Sequence, residues 1–369
     1  MIRTSRSIWA WSYAAVCGAM LAGAFIAGGA AMSMAHPARP EEFPAPAQSV
    51  RASAGIRAVA QIGMTVADLE RSVGFYTSVL GFEKLSERES SGEALEHVTG
   101  VFGAHTLSAR LRIGTEEIEL TQFLAPEGRP IPADSRSNDR WFQHIAIAVS
   151  DIDRAYAHLR AHKVRHASTG PQTLPRSLPN AAGIGAFYFK DPDGHVLEVI
   201  HFPPGKGDPR WQVPPTSDKL FLGIDHTAIA VADTDAGLRF YRDTLGMRIA
   251  GGSENFGTEQ EHLNNVFGAR LRITTLRASA GPGVELLEYL VPAGGRAFPA
   301  DSHANDLWHW QTTLTCEDAA ACEQALRAFR ATWVSPGVVV GAEMSPSQMV
   351  RDPDGHAVLI TTTTKASAR

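Results

Sequence analysis

The chain has 369 residues, 44% of them hydrophobic and 20% charged, with a formal net charge of -5. That length suits two ordinary domains, and the composition is that of a folded globular protein rather than a disordered or fibrous one. The acidic balance and the lack of long Lys/Arg runs exclude nucleic acid as a partner, because binding a polyanion needs clustered cations to replace its counterions.

Residues 1–35 read as a segment separate from the fold. Arg3 and Arg6 precede an apolar run from Ile8 to Ala31, and Ser33 and Ala35 offer small residues for cleavage before His36. This is the pattern of a Sec-type signal peptide. It predicts a periplasmic or secreted protein, with an uncleaved membrane anchor as the alternative and no stable membrane insertion after cleavage. Residues 36–55, rich in Pro and Ala, read as a flexible linker. Cleavage would leave only Cys316 and Cys322, which either pair or stand as two small buried thiols, and which have no metal-site spacing.

The remainder is an internal repeat at a shift of about 165 residues, the kind of self-similarity that announces duplicated architecture. FYTSVLG at Phe75–Gly81 returns as FYRDTLG at Phe240–Gly246, and VFGA at Val101–Ala104 returns at Val266–Ala269. IELTQFLAP (Ile118–Pro126) returns as VELLEYLVP (Val284–Pro292), and PADSRSNDRW (Pro132–Trp141) as PADSHANDLW (Pro299–Trp308). KDPDGHVLEVI (Lys190–Ile200) returns as RDPDGHAVLIT (Arg351–Thr361).

In chain order, each half divides into two units in which a strand leads into an amphipathic helix and further strands follow. In the first, Leu69, Val73, Tyr76 and Leu80 share one helix face and Gly81 is placed to end it. The second opens with WFQHIAIAVSD, Trp141–Asp151, whose alternating Ile145, Ile147 and Val149 predict a buried strand with His144 at its start, and whose Ser150 and Asp153 resemble a capping box. DPDG at 191–194 is a turn between strands, since Pro presets the turn and Gly supplies positive φ. The reading is four β-α-β-β-β modules over 56–125, 140–203, 221–291 and 307–364, an α+β chain.

Four such modules, with FYxxxLG after the first strand and DPDGH before a last strand ending in LEVI, resemble the vicinal oxygen chelate superfamily, which includes glyoxalase I, epimerases, extradiol dioxygenases and bleomycin-resistance proteins. The resemblance covers nearly all of the chain beyond the leader. It implies that modules pair into curved mixed sheets and that a divalent metal sits in the concavity, with one ligand from the first and one from the last strand of each module. The fold is specified in this way, but the reaction is not.

The first-strand and last-strand positions are Gln61 and Glu119 in module one, His144 and Glu198 in module two, and His226 and Glu285 in module three. Module four departs: Gln311 stands opposite His144, with His309 two residues earlier, and Leu359 replaces the carboxylate. If neighbouring modules pair, as expected, the domains are 56–205 and 221–364 joined by 206–220, and the intact site is Gln61, Glu119, His144 and Glu198. If modules two and three pair instead, the site is His144, Glu198, His226 and Glu285. His144 and Glu198 are metal ligands in either case. Their charged and polar groups sit in otherwise apolar strands, where they would be costly without partners.

The other signals are weaker. His309 between Trp308 and Trp310 reads as aromatic core packing, and Gly205-Lys206-Gly207 lacks the rest of a phosphate loop. The resemblance implies a metal-dependent lyase, isomerase or epimerase that stabilises an enediolate of a small vicinal-oxygen carbonyl substrate, with Glu198 as the base and Zn, Ni or Co as the ion. The alternatives are an Fe(II) or Mn(II) extradiol-type dioxygenase and a non-catalytic small-molecule binder. Either a monomer or a homodimer is compatible, because four modules can complete their own sheets.

Overall fold

The computed structural model describes residues 54–342 and 344–362. The expected signal segment and nearly all of the expected linker lie outside them. The linker's last residues do not behave as a flexible spacer: Ala54 is buried, and its backbone N–H donates to Thr244 O at 2.8 Å. None of the described helices is long and apolar enough to cross a membrane.

All four modules form as the repeats require. Module one runs β1 (Ile56–Thr65), α1 (Leu69–Ser78), β2 (Glu83–Ser91), α2 (Glu93–Thr99), β3 (His105–Ile113) and β4 (Glu116–Ala125). Module two runs β5 (Gln143–Val149), α3 (Ile152–Ala161), short β6 (Arg165–His166) and β7 (Gln172–Thr173), β8 (Gly185–Lys190) and β9 (Val196–His201). Module three has β10 (Phe221–Val231), α4 (Thr234–Leu238) continued by a π-helical turn over Arg239–Thr244, β11 (Arg248–Phe256), α5 (Thr258–Asn264), β12 (Arg270–Arg277) and β13 (Gly283–Val291). Module four has β14 (Trp310–Cys316), α6 (Ala319–Phe329), β15 (Thr332–Trp333), β16 (Val339–Gly341), β17 (Met344–Arg351) and β18 (Ala357–Thr362). An aspartate caps the first helix of every module: Asp68, Asp151, Asp233 and Asp318 each accept from backbone N–H groups of the first turn. The cap of α3 is therefore Asp151, bonded to Arg154 N at 2.8 Å, and not the expected box starting at Ser150.

The pairing of modules corrects the expected domain division. The order of one nine-stranded sheet is β15-β17-β18-β14-β1-β4-β3-β2, with β16 also paired to β17, and that of the other is β11-β12-β13-β10-β5-β9-β8-β6, with β7 also paired to β8. Module one thus pairs with module four through antiparallel β1 and β14, and module two with module three through antiparallel β5 and β10. Neither 56–205 nor 221–364 closes a sheet of its own. Strand alternation gives each sheet two faces. Ile62, Met64, Ile145, Ile147, Ile224, Val284 and Leu286 point into one continuous core shared with the helices, while Gln61, Gly63, His144, Ala146, His226 and Ala228 alternate onto the opposite, concave faces. Cys316 and Cys322 are free buried thiols in that core.

Residues 126–142 and 292–309 carry the chain from one sheet to the other, and they lock each other in a reciprocal clasp. Arg129 donates to both carboxylate oxygens of Asp306, at 2.9 and 2.8 Å, and to Asp301 at 2.7 Å. Arg296 does the same with Asp139, at 2.9 and 2.6 Å, and with Asp134 at 2.9 Å. Each guanidinium also lies over a tryptophan, Arg129 over Trp308 at 4.7 Å and Arg296 over Trp141 at 4.6 Å. Fork-to-fork geometry on nearly buried aspartates makes these pairs stronger than exposed ones. Burial opposes ionisation of Asp139 and Asp306, yet the arginines and backbone donors hold both carboxyls below the usual range. The DPDGH turns add a second bridge: Asp191 accepts from Tyr76 Oη at 3.2 Å and Asp352 accepts from Tyr241 Oη at 3.1 Å, so each FY motif is tied to the turn of the module that follows it in the chain but lies in the other sheet.

The crossing segments approach most closely at two glycines. A Cβ on Gly128 would lie 1.8 Å from Asn305 O, and one on Gly295 would lie 1.5 Å from Asn138 O. Gly295→Ala and Gly128→Ala should each destabilise the protein by about 2 kcal/mol or more, the size of a forced backbone displacement. Gly74→Ala in α1, where an added Cβ meets nothing within 4 Å, should be neutral or slightly stabilising. Chemical denaturation of the three variants checks this, and equal midpoints would show that the crossing is loose.

Candidate metal centre

The site follows from strand register. β5 and β10 pair antiparallel with His144 opposite Ala228 and His226 opposite Ala146. Parallel β9 places Glu198 beside Ala146, and parallel β13 places Glu285 beside Ala228. One row across the sheet therefore reads Glu285, Ala228, His144, and the next reads His226, Ala146, Glu198. The alanines between the donors leave the space in which imidazoles and carboxylates converge. Gly283, beside His226, adds room as well, since a Cβ there would sit tightly against the His226 Cβ at 3.3 Å and the Arg277 guanidinium at 3.2 Å.

Three of these side chains offer ligand atoms all within 4.8 Å of one another: His144, Glu198 and His226. His144 Nε2 lies 3.2 Å and His226 Nε2 3.6 Å from Glu198 Oε2, and His226 Nε2 lies 3.4 Å from Glu285 Oε2. His144 and His226 are almost wholly buried, as is Glu198, while Glu285 keeps 18% of its side chain open to a cavity of about 650 Å³. Glu285 Oε1 accepts from Thr275 Oγ1 at 2.6 Å. His226 Nδ1 is held by Asp225 Oδ2 at 3.0 Å, and Asp225 Oδ1 accepts from Trp211 Nε1 at 2.8 Å and Arg277 Nη2 at 3.1 Å. Tyr188 packs on His144 with ring centroids 4.9 Å apart.

The electrostatics are those of a cation site. Burial disfavours the charged ring of His226, but Glu285, Asp225 and Glu198 outweigh it and push its pKa up to about 9. Burial would raise Asp225, yet His226, Arg277 and Trp211 drive it far below the ordinary carboxylate range. His144 is the clearest sign. Both of its ring nitrogens are buried and lack a hydrogen-bond partner, although Nε2 lies 3.2 Å from Glu198. The pair is close but not hydrogen-bonded, which leaves a buried ring without the partner that an ion in the cluster would supply. Two imidazoles and two carboxylates converging on one cavity fit a divalent ion with open positions for substrate.

Of the residues expected from sequence, His144 and Glu198 lie together, with His226 and Glu285 as their partners. Gln61 and Glu119 lie on the other sheet and belong to a different cavity, so the expected site of Gln61, Glu119, His144 and Glu198 does not assemble. Lys206 is bonded to Pro179 O and Asn180 O at 2.7 and 2.8 Å, which agrees with its reading as part of a connection. His309 is buried as expected, but it lines the second cavity instead of packing in aromatic core. Sequence reasoning missed Asp225, Thr275 and Arg277. Asp225 was detectable as the carboxylate directly before a candidate ligand histidine.

The family model described as the Glyoxalase/Bleomycin resistance protein/Dioxygenase superfamily matches residues 58–199 and 223–360. A 2-epi-5-epi-valiolone epimerase from an Actinomyces species is 33% identical over 156 residues, covering 41% of this chain and 82% of that protein. A lactoylglutathione lyase of Arabidopsis thaliana is 27% identical over 184 residues, covering 50% of this chain and 53% of the lyase. Glyoxalase I from Zea mays superposes with a TM-score of 0.57 at 17% identity, over 83% of this chain and 92% of its own, which is a likeness of fold.

Asp225→Asn should weaken divalent-ion affinity by about 10- to 100-fold, because the amide no longer fixes and charges the His226 ring from behind. Metal titration with a chromophoric chelator measures it. His144→Ala should lose binding more completely, and an unchanged affinity in that variant would refute the site.

Proposed function

Because this chain belongs to the glyoxalase/bleomycin resistance protein/dioxygenase superfamily, we propose that it is a metal-dependent enzyme that moves a proton beside the carbonyl of a small substrate bearing two neighbouring oxygens, as an isomerase, epimerase or lyase does. The observation that carries this reading is the convergence of His144, Glu198, His226 and Glu285 on one face of one sheet. A divalent ion held there, Zn, Ni or Co, supplies Lewis-acid polarisation of the substrate carbonyl without redox chemistry. His144, Glu198 and His226 would hold it, and Asp225 keeps the His226 ring oriented through Nδ1.

The geometry divides the two carboxylates by role. Glu198 lies between both imidazoles and is nearly closed off, which suits a ligand. Glu285 is the more open to the cavity, and its far oxygen is steadied by Thr275. It is therefore the better group to take up and return a proton at the substrate carbon, in place of the Glu198 role that resemblance implies. Leu174, Ile184, Ile200 and Leu287 give the cavity apolar walls that exclude water, and Asn180, Asn255 and Lys206 supply polar contacts for orientation.

A second reading has one observation in its favour: two histidines and one carboxylate form the core of the cluster, which is also the donor set of non-haem Fe(II) oxygenases. Glu285, as a fourth donor-type group, favours the proton-transfer reading.

Metal analysis and solvent-deuterium incorporation into a panel of α-hydroxy ketones test the proposal. Wild type should carry a redox-inert ion and exchange the proton next to the carbonyl. Glu285→Gln should keep its metal and lose about 10²-fold or more in exchange rate, the usual worth of a positioned base, whereas Glu198→Gln should lose the metal itself. Stoichiometric iron with oxygen uptake on catechols would establish the dioxygenase instead. The export reading of residues 1–35 is checked by N-terminal sequencing of the exported protein, which should begin at His36.

A further inference from the structure

The second sheet carries its own cavity, about 580 Å³ in volume against about 650 Å³ at the metal centre. Register shows what became of its donors. Gln61 lies opposite Thr313, which lies beside Leu359, and Glu119 lies beside Gly63, which lies opposite Gln311. Row for row, Gln61 stands for His226, Glu119 for Glu285, Gln311 for His144 and Leu359 for Glu198. One carboxylate and no imidazole remain at these four positions, and glycine replaces Ala228. A Cβ at Gly63 would lie 2.6 Å from Gln311 Cγ, so the glutamine fills the space that the alanine occupies in the other sheet. This donor set does not suit a metal.

It is nevertheless built for a ligand. His309 and Thr313 line the cavity with only 5% and 4% of their surface exposed, and neither His309 Nε2 nor Thr313 Oγ1 has a hydrogen-bond partner. Buried polar atoms without partners are costly, and the cavity is where a partner for these two would sit. Gln311 bonds the His309 ring, which leaves Nε2 to receive a donor. Val98, Met344, Met349 and Leu359 give the cavity an apolar stretch of wall. Formal charges balance. Lys84 pairs with Glu87, Arg110 faces Glu117 at 3.4 Å, and the Arg88 charge acts on Glu119. Burial drives the His309 ring down to about 4, which leaves it neutral, and pushes the Glu119 carboxyl above its ordinary value against the pull of Arg88 and Arg110.

We propose that this cavity is a metal-free binding site for an uncharged small molecule with an apolar ring on one side and amide- or hydroxyl-type donors on its edge. A charged ligand would have no opposite charge left to meet it, and a purely apolar one would leave His309 and Thr313 unpaired. The site shares no residue with the metal centre, so the proposal stands apart from the catalytic reading.

The test is calorimetric titration of the full-length protein with 4-hydroxybenzamide, which has an amide, a phenol and an aromatic face but no neighbouring oxygens to chelate a metal. Saturable one-to-one binding is expected. His309→Phe, which installs the residue that module two has at the matching position (Phe142), should weaken it about tenfold or more, the worth of one lost hydrogen bond. Leu359→Trp should fill the cavity and weaken it at least as much, with circular dichroism confirming that both variants fold. Glu198→Gln should bind the probe unchanged, and the anion 4-hydroxybenzoate should bind at least tenfold more weakly than the amide. No saturable binding, binding lost in Glu198→Gln but kept in His309→Phe, or equal affinity for the anion would overturn the proposal.

Discussion

The antiparallel pairing of β5 with β10 is the constraint on which the rest of the structure depends. It is the seam at which modules two and three become one sheet, and its register places two histidines on diagonal positions of one concave face with an alanine opposite each. A slip of one residue would turn His144 and His226 into the apolar core and bring Ile145 and Thr227 out. Burial of Ile145, Ile147 and Val149 on the far side of β5 forbids that slip. The geometry of the His/Glu cluster is thus secured by hydrophobic packing on the opposite face of the sheet, and the flanking parallel strands β9 and β13 need only bring one carboxylate each.

The same construction on the other sheet shows how few positions separate a His/Glu cluster from a face without imidazole ligands at the matching sites. β1 with β14 repeats the seam, and every donor position has a counterpart. Leu359 removes the central carboxylate, Gln61 and Gln311 replace imidazoles with amides, and Gly63 lets one amide lie across the floor. The cavity itself persists at similar size because it is set by the curvature of the sheet and the helices α2 and α5 at its rim. Phe102 and Phe267, related by the repeat and both over 90% exposed, follow those two helices and keep the outer outline of the halves alike while their interiors differ.

Much of this was legible in the sequence. The four modules, the turns at DPDG and the placing of His144, Glu198, His226 and Glu285 at first- and last-strand positions all follow from repeats read against strand alternation. The pairing of modules did not, for a physical reason that lies in the repeats themselves. Each half contains one clasp arginine, Arg129 or Arg296, and one pair of clasp aspartates, Asp134 with Asp139 or Asp301 with Asp306. Composition is satisfied equally if each arginine meets the aspartates of its own loop or those of the other loop. Only three-dimensional closure selects the crossed arrangement, in which Gly128 and Gly295 pass against the opposing backbone. Duplicated sequences hide this kind of choice because every partner exists twice.

The crossed arrangement also explains why the losses fall on one side. With neighbouring modules paired, Gln311 and Leu359 would share a sheet with His226 and Glu285, and each sheet would hold one complete module and one compromised or amide-bearing one. With the modules crossed, the two that retain a histidine and a glutamate apiece face each other across a single seam, and the amide and leucine substitutions accumulate across the other. Gln61 and Leu359 then lie on the other sheet from the His144–Glu198–His226 cluster, so module four is free of the constraint that its sequence resemblance to module two suggests. That separation lets one polypeptide hold a buried, charge-rich cluster of His144, His226, Glu198, Glu285 and Asp225 on one face while the twin face carries Gln61, Gln311 and Leu359 at the matching positions.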